Sequence, residues 1–119
     1  MALAYDAASL FVVPATIASG SSLSGVLQAA AGHLVAVQVP SGWTAASITF
    51  TGSADGVTQC PISDFGNTEF TVSAVAGRYH YLTPTVMARV PYLQVRSGTA
   101  GAPVTQGSNV VVLLVFAKY

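Results

Sequence analysis

The feature that most constrains this chain is a short alternating segment that ends in a turn signal and then recurs along the sequence. Ser47-Ile48-Thr49-Phe50-Thr51 alternates polar and apolar residues strictly, which places Ile48 and Phe50 on one face of a strand. It runs into Ser53-Ala54-Asp55-Gly56, and Asp-Gly favours a tight turn because both residues tolerate positive φ. Val57 to Ile62 then reads as the return strand of a hairpin. Leu34 to Val39 alternates in the same way and is closed by Pro40-Ser41-Gly42. Glu69 to Val75 places Phe70, Val72 and Ala74 on one side. Ala76-Gly77 then turns the chain into Arg78-Tyr79-His80-Tyr81-Leu82, rich in the aromatics that strands favour.

The remaining segments extend the pattern. Tyr92 to Arg96 reads as a strand, Ser97 to Ser108 as a loop of small residues, and the apolar run Val110 to Ala117 as a strand buried on both faces. Phe11-Val12-Val13 and Ala15-Thr16-Ile17 straddle Pro14, which predicts an edge or bulged strand. Ser22 to Ala31 fits a short helix or a strand, and Gly25 favours the strand. Thr83 to Ala88, short and led by Pro84, fits a single helical turn. About eight strands with turn signals about every ten residues, and little or no helix, predict an all-β fold: a single antiparallel β-sandwich, jelly-roll-like. Residues 1–14 read as an N-terminal arm or a first strand, and residues 15–119 as the β-sandwich domain.

Composition narrows the function. A chain of 119 residues fits one domain with a moderate core. Charged residues make up 7%, against roughly 25% in an average soluble protein, while apolar residues make up 52%. The longest apolar run falls far short of the roughly 20 residues that cross a bilayer as a helix, so no membrane is expected. Net charge is zero, and four dispersed cations (Arg78, Arg89, Arg96, Lys118) make no phosphate-binding patch, which argues against direct contact with nucleic acid. So little charge also implies that sister subunits or a partner cover much of the surface. The single Cys60 has no partner for an intramolecular disulfide, which fits assembly in a reducing cytoplasm. The start of the chain lacks the basic residues of a secretory signal.

The residues that could carry chemistry do not assemble on paper into a catalytic set. His33 and His80 lie outside any metal-ligand spacing, and no cofactor is expected. No Gly-x-Ser-x-Gly elbow occurs, and Thr58-Gln59-Cys60-Pro61 offers no helix start to activate a thiol, so Cys60 reads as a small core or strand residue. Asp55 belongs to its turn, and Asp64 and Glu69 flank a loop about Asn67 that should be solvated. The expectation is therefore a protein that is not an enzyme. Trp43 follows the Pro-Ser-Gly turn, where it either packs into the end of the sandwich or stands exposed to stack on a sugar or a partner. Tyr79 and Tyr81 share one side of their strand with His80 opposite, and they form a contact surface if that side faces out.

Two resemblances attach to these residues. Ile48 to Gly56, Tyr79 to Leu82 and Pro91 to Ser97 resemble the central stretch of discoidin-like, or galactose-binding-like, jelly rolls. There a strand ends in a Ser-x-Asp-Gly hairpin and a later strand carries an aromatic-x-x-Val-Arg pattern. A second resemblance spans nearly the whole chain. Pro14 to Gly20, Pro40 to Ala46, the Ser-Ala-Asp-Gly turn and Val95 to Thr99 look like small structural proteins of tailed bacteriophages. That resemblance implies a virion component assembled in the host cytoplasm: a capsid decoration (cement) protein in contact with the major capsid protein, or the base of a head or tail spike. It implies no catalytic site, and a homo-oligomer, such as a trimer, fits it. The alternative is a carbohydrate-binding module for host attachment, with Trp43, His33, Tyr79 and Asp55 as sugar contacts. The candidate contact surface is Trp43, Tyr79, Tyr81, His33, Phe11 and Val12, the last two on the N-terminal segment that could lie on a neighbour's sheet edge.

Overall fold

The longest apolar run becomes a strand with a neighbour on each side. In the computed structural model, which describes residues 9–30, 32–82 and 90–118, Val110–Lys118 forms β9 between β1 (Leu10–Ile17) and β3 (Gly32–Gln38). The other strands are β2 (Leu27–Gln28), β4 (Ile48–Ser53), β5 (Cys60–Pro61), β6 (Thr71–Val72), β7 (Tyr79–Tyr81) and β8 (Tyr92–Ser97). All the ladders are antiparallel, and the described residues contain no α-helix.

The pairing is that of one long hairpin rolled up. β1 pairs β9, β2 pairs β8, β3 pairs β7, and β4 pairs both β5 and β6. β9 then also pairs β3, and β8 pairs β4, which closes two sheets: β1-β9-β3-β7, and β2-β8-β4 with β5 and β6 beyond β4. This is a jelly-roll β-sandwich. The crossovers β1–β2, β3–β4, β6–β7 and β8–β9 each join strands at the same place in the two sheets. β1 therefore stands over β2, β9 over β8, β3 over β4, and β7 over β5 and β6.

Between the sheets lies one core, with Phe50, Ile48, Val95 and Leu93 from one side and Phe116, Leu114, Leu34 and Ile17 from the other. Burying a side chain the size of Phe50 or Phe116 contributes roughly 2–3 kcal/mol. Ile48 and Phe50 share the core face as their alternation predicts, and Phe70, Val72 and Ala74 all turn inward.

Several expectations change in detail. Strict alternation in Leu34 to Val39 would put Leu34 and Val37 on opposite faces, but both lie in the core. A bulge between Leu34 and Ala36 shifts the register by one residue and resets which face is inward. No such shift occurs in β1. Pro14 pairs Leu113 in an unbroken ladder, tolerated because an edge strand needs ladder bonds along one side only. The return strand expected over Val57 to Ile62 shortens to Cys60–Pro61, because Asp55 Oδ1 accepts from the backbone N–H of Val57 and Thr58 and takes the amides a longer ladder would use. The strand expected over Glu69 to Val75 shortens to Thr71–Val72, since β5 already occupies part of the same edge of β4. Ser22 to Ala30 holds the short β2 and no helix. Val110 to Ala117 is buried on both faces only from Leu114 onward, and Val111 is exposed. The helical turn expected at Thr83 to Ala88 lies outside the described residues, as do Met1 to Ala8. The described part of the N-terminal segment, Leu10 to Pro14, lies in β1.

Candidate interaction surfaces

Period-two geometry assigns each residue of a sandwich strand either to the core or to an outer face. Since Phe116, Leu114 and Val112 point inward, Val115, Leu113 and Val111 point away from the core. The register carries this across the β1-β9-β3-β7 sheet. One outward row reads Val12, Val115, Ala36, Tyr81, and the next reads Pro14, Leu113, Gln38, Tyr79. No Asp, Glu, Lys or Arg stands in either row. The two ends of the rows are raised: Val12 is 54% exposed, Tyr79 48% and Tyr81 85%, while Ala36 and Val115 between them are buried. The rings of Tyr79 and Tyr81 meet edge to face, 5.4 Å between centroids.

On the other sheet the outer face is polar and closed on itself. Arg96 and Thr49 are directly paired across β8 and β4. Arg96 Nε donates to Thr49 Oγ1 (3.1 Å) and Nη2 to Glu69 Oε2 (2.9 Å), while Thr49 Oγ1 donates to the Gly98 carbonyl (2.7 Å). Glu69 also accepts from the Ala100 N–H. Glu69 is thus held in an ion pair rather than left solvated, because the chain after β8 returns across the end of β6. Next along this face, Thr51 Oγ1 lies 2.8 Å from Gln59 Oε1 and 3.0 Å from Gln94 Oε1, and Gln94 Nε2 donates to the Ser24 carbonyl. Gln59 Nε2 is the one buried side-chain nitrogen or oxygen among the described residues without a partner.

The predicted contact residues separate. Tyr79, Tyr81 and Val12 stand exposed on the outer face of the first sheet, and His33, paired with Ala117, lies half-buried at one end of it. Phe11 turns inward and stacks on Phe116, ring centroids 5.1 Å apart. Trp43 is buried, only 6% exposed, with Nε1 donating to the Ala46 carbonyl (3.0 Å), so its indole offers no face to a ligand. Nor do the four proposed sugar contacts converge. Trp43 follows the end of β3 and Tyr79 opens β7 beside Gln38, whereas His33 begins β3 and Asp55 follows the far end of β4. They fall at opposite ends of the sandwich. His80 faces the other way from the tyrosines, and its Nε2 accepts from the Val75 N–H (3.0 Å).

Asp55 does what its turn requires. Its carboxylate accepts from the backbone N–H of Val57 and Thr58 and from the Ser53 hydroxyl, and these bonds hold its pKa down at about 2 from 3.8. Gly56 follows at φ 79°. Cys60 lies in a strand, as expected, but is exposed rather than core. Among the described residues no group of three His, Cys, Asp or Glu could hold a metal ion, and no helix is long and apolar enough to cross a membrane.

Some important residues escaped the sequence reading. Gln106, in the stretch read as a loop of small residues, is buried. Its Oε1 accepts from the Thr44 N–H, and its Nε2 donates to the Thr44 carbonyl and to Ser97 Oγ. Its own backbone bonds Gly20 and Ser21, so one residue ties together the β1–β2, β3–β4 and β8–β9 connections. Phe65 is fully exposed on a turn closed by Asp64 and Thr68. An aromatic residue set among turn formers (Asp64-Phe65-Gly66-Asn67) was the available signal. No family model, curated protein or solved structure matches the chain.

Proposed function

We propose that this chain is a non-enzymatic structural protein of a tailed-bacteriophage particle, a decoration protein that stabilises the head by contact with capsid subunits. The observation that carries the reading is the outer face of the β1-β9-β3-β7 sheet, where two adjacent rows hold no charged side chain and the exposed positions are Val12, Pro14, Tyr79, Tyr81 and Gln38. Apolar side chains left in water in this density favour burial against another surface. Tyrosines add large contact area for little conformational entropy. Jelly rolls recur in viral capsid and lectin domains, which agrees with the reading by analogy of fold alone. In this mechanism many copies bridge neighbouring capsid subunits, and the added buried area resists the pressure of packaged DNA.

The test is the copy number of the chain in purified particles, measured against the major capsid protein. A simple ratio to the capsid subunit is the expected result, with particles lacking the chain releasing DNA at a lower temperature. A dozen copies or fewer would move it to a spike base, and absence from particles would end the structural reading. The exposed Tyr79–Tyr81 pair beside Gln38 also favours a second reading, a carbohydrate-binding module in which a sugar ring stacks on tyrosine. Trp43 is buried and would report such binding poorly. Amide chemical shifts of β3 and β7 against a glycan panel are the better probe, and no shift across the panel would remove this reading.

A further inference from the structure

The Asp55-Gly56 peptide, in the turn after β4, is of the kind at which a polypeptide most readily modifies itself. The backbone nitrogen after an aspartate can attack the side-chain carbon Cγ, and a following glycine hinders that approach least because it has no side chain. The N–Cγ bond forms, and a carboxyl oxygen leaves as water with the proton of the nitrogen and the proton of the neutral acid. The product is a cyclic succinimide. Water then adds to one of its two carbonyl carbons. Addition at Cγ restores aspartate, whereas addition at the main-chain carbonyl gives isoaspartate, in which the backbone runs through the side chain.

In the folded chain both reacting groups are engaged elsewhere. Ser53, buried at the end of β4, stands between them: its Oγ accepts from the Gly56 N–H (2.9 Å) and donates to Asp55 Oδ1 (2.8 Å). The backbone N–H groups of Val57 (2.8 Å) and Thr58 (3.1 Å) donate to the same oxygen. These bonds favour the ionised carboxylate, holding its pKa at about 2, whereas ring closure consumes the neutral acid. An imide oxygen is also a weaker acceptor than a carboxylate, so closing the ring weakens all three bonds at once. Gly56 itself, at φ 79°, packs under the Tyr92 ring, so closely that a Cβ would lie 3.2 Å from two ring carbons.

We propose that Ser53 and the turn amides shield the Asp55-Gly56 peptide from isoaspartate formation in the folded chain, and that this peptide becomes a modification site when the turn opens. Isoaspartate lengthens the main chain and moves the carboxylate. A chain modified while open therefore cannot remake the turn that carries β4 into β5. The fold protects the bond, and the bond records unfolding. This inference goes beyond the virion reading and does not depend on it.

The experiment incubates the full chain at neutral pH, folded in buffer and unfolded in guanidinium chloride. Samples are then denatured and digested with an endoproteinase that cuts before aspartate and not before isoaspartate, so modification leaves Ala54 joined to residue 55. The folded wild type should accumulate the uncut fragment at least about tenfold more slowly than the unfolded chain, the factor that one unit of carboxyl pKa alone supplies. Ser53→Ala, checked for folding by circular dichroism, should react several-fold faster than the folded wild type. Ser53→Thr keeps the hydroxyl and should stay slow, and in guanidinium all three should match. Equal rates for folded and unfolded wild type would overturn the proposal, whether or not the variants fold. So would a folded Ser53→Ala no faster than the wild type, and a slower one would make the hydroxyl a proton relay instead of a shield.

Discussion

The outer faces of the two sheets have opposite characters, although both belong to strands of the same sandwich. On the β2-β8-β4 side, Arg96, Glu69, Thr49 and Gln94 bond one another or the backbone, and among the described residues only Gln59 Nε2 is a buried side-chain nitrogen or oxygen without a partner. On the β1-β9-β3-β7 side, two adjacent outward rows carry no charge, and Val12 and Tyr81 stand exposed at the ends of one of them. A face whose polar groups satisfy one another contributes to the fold and has little to offer a partner. A face of exposed apolar groups contributes little to the isolated fold and gains when it is covered. The difference separates residues bonded into the domain from residues left exposed on its surface.

If that division is right, the largest effects come from the polar side. Gly98 directly follows β8, with φ 91°, and a Cβ there would lie 2.7 Å from Val104 N. Its carbonyl accepts from Thr49 and its N–H donates to the Ser47 carbonyl. Gly98→Ala should cost at least about 2 kcal/mol in urea unfolding. A cost under about 0.5 kcal/mol would mean that the polar face has no rigid anchor. Arg96→Met follows: it removes the bonds to Thr49 and Glu69, leaves Glu69 with the Ala100 N–H, and should cost about 2 kcal/mol after allowance for partial exposure of the pair. A double-mutant cycle with Glu69→Gln should return a coupling of about 1 kcal/mol, and no coupling would show the pair to be incidental.

Asp55, at the turn that ends β4, gives a smaller and pH-dependent effect. Its pKa is lowered on folding, so its ionised form contributes stability above the ordinary carboxylate pKa of 3.8, and that contribution is lost as pH falls towards about 2. Melting temperatures of Asp55→Asn should therefore fall below those of the wild type at neutral pH and converge with them near pH 2. A constant difference across that range would assign the effect to something other than the carboxylate. Smallest of all is Tyr81→Ser, which should change stability by less than about 0.5 kcal/mol. A loss above about 1 kcal/mol would make the apolar face part of the fold and erase the contrast.

The all-β class and much of the core were legible because they rest on local regularities. Alternation in Ile48–Phe50 and in Phe70–Val72–Ala74 identified inward faces, and Asp55-Gly56 identified a turn without reference to the rest of the chain. Tyr79 and Tyr81 were correctly placed on one side of their strand, but whether that side faced the core was not readable from alternation, which is the same for either choice. Trp43 was open for the same reason: a residue after a turn is buried or exposed according to what packs over it. Glu69 was misread because its partner, Arg96, lies on another strand and is brought to it by the pairing of β4 with both β6 and β8. Gln106 was missed because its importance comes from three connections that meet only in the folded molecule.

What the sequence determined by itself was the material of the fold: strand-forming segments of period two, their turns, one domain's worth of apolar residues with few charges, and few groups able to do chemistry. The tertiary structure decided which strands are central and which are edges, which edge of β4 is shared, and where the bulge in β3 reverses the face that Ala36 and Val37 present. The physical reason is that periodicity is a property of neighbours along the chain. Register and sheet order depend on hydrogen bonds between strands far apart in sequence, and a shift of one residue there turns a core side chain into a surface one.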